Sequence, residues 1–229
     1  MGINLGAITP ISTDNSSNGG AISTPIQSPA PVQNMVQEVR KTDGTLTLNL
    51  AKGLSLDLSK TAPNMKRIKI GLGWTSKTGE GIDLDVFALT LRNGKVTSNS
   101  DIIFFNQKDM GTGVTLNGDN TTGVDVVGQE DDEQILIDTN RLDRGITSIA
   151  IFVNAYKPGI NFGMVQHAYV RLVDADTNKE HCIYILNEEA GMNNAFHFAN
   201  IKINNGTLNF ETVGQPTNGD IGQIANRFL

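Results

Sequence analysis

The chain has 229 residues, of which 38% are hydrophobic, and this is enough for one well-buried core. Its 24 acidic and 18 basic residues give a net charge of −6, and no run of Lys or Arg forms the basic stripe that nucleic acids require. A single cysteine excludes an internal disulfide framework, and no apolar window reaches the roughly 20 residues of a membrane span. The start of the chain has no secretory pattern either, so we expect a cytoplasmic protein with no nucleic-acid partner and no direct membrane span.

Residues 1–43 are rich in Ser, Thr, Asn, Gly and Pro and contain no aromatic residue. Such a segment cannot bury enough apolar area to offset the entropy of ordering it. We therefore predict a flexible tail over 1–43, with disorder favoured over a fragment of helix at 32–39.

After Gly44, short apolar runs punctuated by Gly, Asn and Asp are typical of an all-β domain. The sequences RNGK at 92–95 and NNG at 204–206 predict hairpin turns. Ten strands need two sheets, so we predict an antiparallel β-sandwich. The ten candidate strands cover 46–50, 53–58, 67–73, 84–91, 102–106, 134–138, 148–155, 168–174, 181–186 and 207–213.

One helix is predicted after Asn187, which can cap it, while Glu188 and Glu189 favour the positive end of the helix dipole. We expect one or two short helices packed on or beside the sandwich. The apolar face of the predicted helix comprises Ala190, Ala195, Phe196 and Ala199.

The acidity of the chain is concentrated in one stretch, GDNTTGVDVVGQEDDE at 118–133, which has six carboxylates and no base. Without these six, the remaining 18 acids would balance the 18 bases. Like charges crowded within about 5 Å store roughly 1 to 3 kcal/mol of repulsion per pair, which a hard cation would convert into attraction. The six are Asp119, Asp125, Glu130, Asp131, Asp132 and Glu133.

A second acidic element is the motif IDLDVFAL. In a strand, Asp83 and Asp85 share a face with Phe87 and Leu89, so two carboxylates continue a core-facing row. Burial of a carboxylate without partners is costly, and no Lys or Arg occurs within 78–91. Two interpretations stay open, namely aspartates that cap turns at the rim of the sheet and aspartates that bind a metal ion.

The donor chemistry favours Ca²⁺, which takes six to eight oxygen ligands from carboxylates, amides and carbonyls. Zn²⁺ would need clustered His or Cys, whereas Mg²⁺ needs fewer carboxylates and stays an alternative. The loop is not an EF-hand, because the sixth position from Asp119 is Val124, where an EF-hand requires Gly. Oxygen donors for one or two ions are Asp83, Asp85, Asp119, Asn120, Asp131, Asp132 and Glu133.

At these residues the chain resembles the TerD family of tellurium-resistance and stress-response proteins. The resemblance covers about 46–215 and implies a two-sheet β-sandwich over 44–215, followed by a C-terminal extension at 216–229. The motifs that carry it are LAKGLSLDLSK, IKIGLGWT, GIDLDVFAL, NGKV, DIIFFNQ, GDNTTG, DDE, IAIFVNAY, NFGMVQHAYVRLVD, NEEAGMNNAFHFANI and FETVGQ.

The resemblance also implies Ca²⁺ binding, by one or two ions, through the DLD strand and the loop from GDN to DDE. The ligands carried over are Asp83, Asp85, Asp119, Asn120, Asp131, Asp132 and Glu133. In this chain VDVVGQE lengthens the loop before DDE, so Asp125 and Glu130 are further candidates for a bridging role. The partners implied are other Ter-type stress proteins in multi-component complexes, some of them near the membrane.

We therefore expect a non-enzymatic Ca²⁺-binding protein of tellurite resistance and the general stress response. The alternative is a Ca²⁺-dependent ligand-binding or enzymatic β-sandwich, with a phosphate, a cyclic nucleotide or a sugar as the ligand. His181 and Cys182 are adjacent in sequence, but neighbouring strand residues point to opposite faces, which disfavours a catalytic pair.

Overall fold

A computed structural model describes residues 52–76, 81–118, 120–122, 131–186 and 190–229, together with the backbone of two short N-terminal strands. The strands are β1 (Gln37–Arg40), β2 (Leu46–Asn49), β3 (Ser55–Asp57), β4 (Arg67–Ser76), β5 (Leu84–Leu91), β6 (Ile102–Ile103), β7 (Val114–Gly118), β8 (Glu133–Asp138), β9 (Ser148–Ala155), β10 (Val165–Asp174), β11 (Lys179–Ile185), β12 (Ala195–Asn204) and β13 (Thr207–Thr217). The α-helices are α1 (Leu58–Thr61) and α2 (Ile221–Ala225), and short 3₁₀ turns cover Asn99–Asp101, Phe162–Met164 and Asn226–Phe228.

The strands form two sheets that face each other. The seven-stranded sheet has the order β1-β2-β11-β10-β4-β8-β7, and the six-stranded sheet has the order β3-β13-β12-β9-β5-β6. Neighbouring strands are antiparallel except β2 and β11, which pair in parallel. The prediction of an all-β, two-sheet sandwich with one or two short helices is confirmed.

Two apolar clusters stabilise the fold. The main cluster fills the space between the sheets and includes Ile70, Leu72 and Phe196. A second cluster lies on the outer face of the six-stranded sheet, where α2 packs through Ile221 and Ile224 onto strands β5 and β9. Both faces of these two strands are therefore covered, and all eight residues of β5 are buried. The segment 216–229, predicted as an extension, contributes the end of β13 and the helix that covers this face.

Both predicted hairpin turns are confirmed. Asn93 and Gly94 have φ values of 53° and 80°, and Asn205 and Gly206 have values of 48° and 79°. Positive φ at both central residues is the signature of a type I′ turn, whose twist matches that of the flanking strands. The backbones of Arg92 and Lys95 bond to each other across the first turn, and β12 continues directly into β13 across the second.

The predicted helix after Asn187 is wrong over its second half. Ala195 begins strand β12, which pairs with β9 on one side and β13 on the other. Ala195, Phe196, Phe198 and Ala199 are all buried in the first half of β12. Apolar residues so closely spaced also satisfy the pattern of an amphipathic helix, which is why the sequence misleads here. Residues 187–189, which the prediction placed at the helix N-terminus, lie outside the described residues.

Two further strands differ from the sequence expectation. Gln37–Arg40 lies inside the predicted tail but forms β1, which pairs with β2 in register from Gln37 and Asn49 onward. Val114–Gly118, which follows a glycine-rich stretch, forms β7 at the edge of the seven-stranded sheet. The rest of the predicted tail lies outside the described residues.

Candidate metal centre

Three strand ends meet at one end of the sandwich. Strand β8 begins at Glu133, opposite Leu72 on β4, and β4 continues past this point to Ser76. In the other sheet, β5 begins at Leu84, opposite Ala155 on β9. The two acidic segments predicted from sequence therefore enter the fold at the same end.

Glu133 connects the two sheets. Its side chain is fully buried, and Oε2 accepts a hydrogen bond of 2.7 Å from the backbone N–H of Val86 on β5. The short strand β6 pairs with β5 only at Ala88 and Leu89, so the edge of β5 is open at Val86. The carboxylate thus takes the place of a strand carbonyl and ties the acidic segment to the DLD strand.

Asp132 makes the corresponding contact with β4. Its Oδ2 accepts from the backbone N–H of Trp74 at 3.0 Å, and its Oδ1 accepts from Nδ2 of Asn120 at 2.5 Å. The indole of Trp74 donates to the carbonyl of Ile82 at 2.8 Å. Asp132 is therefore connected to the loop at 120–122 directly and, through Trp74, to the residue that precedes Asp83.

The loop at 120–122 also packs against the start of the DLD segment. A Cβ atom on Gly81 would lie 3.4 Å from the Cα of Thr122. Asn120 Oδ1 accepts from both the backbone N–H and the hydroxyl of Thr122 at 3.0 Å, which holds this loop in a compact turn. The loop at 120–122 thus lies against Gly81, two residues before Asp83.

Asp83 and Asp85 are 9% and 3% exposed. They alternate with Ile82 and Leu84, which belong to the core between the sheets, and so they lie on the outer face of the six-stranded sheet. Asp85 pairs with Asn154 on β9, and the Asn154 amide donates to two backbone carbonyls at 2.9 Å. The predicted row of alternating carboxylates exists, but it continues the cluster beneath α2.

Asp131 lies on the other side of the seven-stranded sheet. Its Oδ1 accepts from Nε of Arg171 at 2.6 Å, and Lys69 Nζ lies 3.9 Å from Oδ2. The carboxylate occupies the space above Gly71, where a Cβ atom would lie 2.3 Å from it. Glu133, by contrast, alternates toward the core, so the DDE motif divides its carboxylates between the two faces of the sheet.

Within the described residues, no three side chains of His, Cys, Asp or Glu lie together in a group that could hold a metal ion. The predicted donors Asp119, Asp125 and Glu130 lie outside those residues. The donors that the structure does bring to this end are carboxylate and amide oxygens, which suit Ca²⁺ or Mg²⁺ and not Zn²⁺.

The family model described as TerD domain matches residues 46–228. The chain belongs to the TerD family. It is 34% identical over 190 residues to tellurium resistance protein TerD of Serratia marcescens, covering 80% of this chain and 97% of the relative. General stress protein 16U of Bacillus subtilis is 35% identical over 192 residues, with the same coverage.

A solved structure confirms the TerD fold. The crystal structure of a telluride-resistance protein homologue from Streptomyces coelicolor matches with a TM-score of 0.59 at 18% identity, over 71% of this chain and 96% of the other. The structural match therefore covers the sandwich, and the sequence matches establish the family.

Sequence reasoning missed the residues that hold the acidic segment in place in this TerD protein. Trp74 and Val86 contribute backbone N–H groups, and no pattern of side chains in the sequence predicts such donors. Arg171, the base that pairs with Asp131, lies 40 residues away along the chain, so a search for neighbouring bases could not find it. It also contacts Glu180, at 3.2 Å.

Cys182 is not a reactive thiol in this structure. It is 1% exposed in the core between the sheets, and burial raises its pKa to about 12. Thiolate is the reactive form of cysteine, so almost none is present near neutral pH. His181 is only half-buried on the same strand, and burial lowers its pKa.

In the described residues, no helix is both long enough and apolar enough to cross a membrane.

Proposed function

We propose that this chain is a non-enzymatic Ca²⁺-binding protein that acts in tellurite resistance and the general stress response. The names of its relatives, tellurium resistance protein TerD and general stress protein 16U, support the cellular role. The metal-binding part rests on one observation, the attachment of the acidic segment to the DLD strand through Glu133 and Val86. A divalent ion would offset the repulsion among the carboxylates that this attachment concentrates at one end of the sandwich.

Asp132 and Glu133 would contribute two oriented carboxylates to the ion, and the rest of its ligands would come from other residues. Trp74 and Val86 donate backbone N–H groups to Asp132 and Glu133, so these two carboxylates are already fixed in direction. Partners of this kind orient metal ligands and raise metal affinity. Asp83 and Asp85 would provide further oxygens, and Asp119, Asp125 and Glu130 are proposed to complete the shell from the loop. Bound Ca²⁺ would supply the positive charge that keeps these groups together.

Calorimetry on chelator-treated protein tests the metal site. We expect saturable heat on addition of Ca²⁺, and stabilisation of about 2.7 kcal/mol at one hundred times Kd. Asp83→Asn combined with Asp85→Asn should abolish the heat. The matched control, Asp109→Asn with Asp176→Asn, removes the same charge from two exposed positions and should leave the heat unchanged. Equal heats in the two double variants would contradict the proposed site.

The single tryptophan provides a second measurement. Trp74 is 2% exposed, and its backbone N–H binds Asp132, so movement of that carboxylate should change the indole environment. We expect the emission to titrate with Ca²⁺ at the calorimetric Kd. An unchanged emission at saturating Ca²⁺, with heat still observed, would place the ion away from Asp132.

Partner proteins are proposed to dock at the same end of the sandwich. Six large apolar side chains in the described residues are exposed. Four of them lie next to strand termini on the side of the sandwich that carries the candidate metal centre. The four are Tyr156, Met164, Ile185 and Met192. Tyr156→Ser with Met192→Ser should reduce co-purification with co-expressed Ter-type proteins without changing Ca²⁺ affinity.

The cellular role is tested separately from metal binding. The chain should restore tellurite tolerance to a sensitive host, and the variant that lacks the two DLD aspartates should not. The buried Cys182 thiol supports a role without redox chemistry, and the single cysteine supports a reducing, cytoplasmic setting. If the metal-site variant protects the host from tellurite as well as the unmodified chain does, tellurite resistance does not depend on Ca²⁺ binding.

A further inference from the structure

A cavity of about 400 Å³ lies at the end of the sandwich opposite the candidate metal centre. It is lined by residues next to the start of β4, after the end of β8, and in α1 and the β12–β13 hairpin. Small-molecule sites in proteins typically have volumes of about 300–1,000 Å³. The cavity therefore has the size of a site for a small organic ligand.

The floor of the cavity is apolar. Leu58, Met65 and Ile146 line it and are 1%, 5% and 4% exposed. Ile203 and Leu208, also in the lining, are partly buried and pack against the main core. The cavity is thus an extension of the space between the sheets, where an aliphatic or aromatic group is favoured over water.

The mouth of the cavity is cationic. Lys66 and Arg144 line it and are exposed, and neither forms an ion pair with any residue that the structure describes. The acidic residue in the lining, Asp143, is already engaged, since it accepts from Arg92 at 2.7 Å and from the backbone N–H of Gly145 at 2.9 Å. Two positive charges are therefore available at the mouth.

From the apolar floor and the cationic mouth together, we propose that this cavity binds a small amphipathic carboxylic acid. The carboxylate pairs with Lys66 and Arg144, and the hydrocarbon body occupies the space lined by Leu58, Met65 and Ile146. This inference goes beyond the proposed Ca²⁺ function and does not depend on it, since the two sites lie at opposite ends of the sandwich.

The test uses anilinonaphthalene sulfonate, a fluorescent amphipathic anion, with full-length protein in the presence of EDTA. We expect saturable binding, with displacement by decanoate at a concentration at least tenfold lower than by decanol. Lys66→Glu with Arg144→Glu should raise the Kd of the probe at least tenfold. The matched control, Lys157→Glu with Lys179→Glu, reverses two exposed charges outside the cavity and should leave the Kd unchanged.

A cavity-filling variant, Ile203→Trp, tests the apolar part and should also weaken binding at least tenfold. Because the probe binds partly folded proteins, each variant is first shown to unfold cooperatively. If Ile203→Trp does not fold, the charge reversals at Lys66 and Arg144 still test the proposal, because both residues are exposed and their replacement should not prevent folding. Binding that does not saturate, equal potency of decanoate and decanol, or equal Kd values in the two charge-reversal variants would overturn the proposal.

Discussion

Replacement of Asp101 by alanine should strongly destabilise the domain, because a buried carboxylate that satisfies several donors is lost. Asp101 is 1% exposed, and its carboxylate accepts five hydrogen bonds. The side chains of Thr90 and Arg92 donate to Oδ1, the former at 3.0 Å. The backbone and hydroxyl of Thr97 donate to Oδ2 at 2.9 and 2.8 Å, and the backbone of Ser98 donates at 3.0 Å. The variant leaves all five donors without this acceptor.

The magnitude follows from the burial of the pair. Removal of one partner of a buried ion pair costs about 3–5 kcal/mol. Arg92 is 26% exposed and keeps its contact with Asp143, so we expect the lower end of that range, about 3 kcal/mol. In a domain of this size about 1 kcal/mol corresponds to 2–4 °C, so the Tm should fall by roughly 6–12 °C.

Urea denaturation followed by Trp74 fluorescence measures the loss in free energy of unfolding. The dependence of this free energy on urea concentration should be the same in the variant and the unmodified chain. Asp143→Ala is the matched control, since Asp143 binds the same Arg92 at 2.7 Å but its side chain is 50% exposed. An exposed pair contributes at most about 1 kcal/mol. Equal losses of stability in the two variants would show that burial is not what makes the Asp101 interaction strong.

The stability lost in Asp101→Ala should also depend on pH. Burial by itself raises the pKa of Asp101, but hydrogen bonds from Thr97, Arg92 and Thr90 outweigh it, so the pKa lies below its usual value. The contribution of this group to stability is therefore present above the unfolded pKa of about 3.9 and is lost as the pH falls through the folded pKa. The stability difference between the unmodified chain and Asp101→Ala should shrink below about pH 4.

Three further changes have defined outcomes. Gly71→Ala should lower the free energy of unfolding in urea by about 1–3 kcal/mol, because its Cβ would lie 2.3 Å from a buried carboxylate. Gly222→Ala is the control and should not be destabilised, because its nearest contact would be at 3.4 Å. Cys182 should resist a thiol reagent at pH 8 until the protein unfolds, since burial raises its pKa to about 12, and rapid labelling of the native protein would contradict its burial. Trp74→Phe should cost about 1–3 kcal/mol, because the carbonyl of Ile82 loses the indole donor, and a stability unchanged in urea would show that this carbonyl finds another partner.

Local patterns along the chain were sufficient for much of the fold. Strands β5 and β9 have the predicted bounds, because turn residues delimit both apolar runs. The two turns with Asn-Gly at their centre are also predictable, since few residues other than Asn and Gly adopt positive φ readily. The alternation of Asp83 and Asp85 with Ile82 and Leu84 follows from the period of a strand.

Other elements depend on contacts between distant segments. Strand β12 has the spacing of a helix in sequence, and only its position between β9 and β13 decides its conformation. The motif DDE also does not predict that Asp131 and Glu133 lie on opposite faces of a sheet. It depends on Arg171, 40 residues further on, and on the open edge of β5 at Val86.

Local composition and spacing were enough to predict the fold class and the concentration of negative charge, and the motifs of the chain carried its resemblance to the TerD family. The packing of the two sheets determines which carboxylate meets Arg171 and which meets the edge of β5, and it creates the cavity with a cationic mouth at the opposite end. None of these could be predicted locally, because ion pairs, strand edges and cavities are relations between residues far apart in the chain. Their geometry exists only when both sheets have formed and packed together.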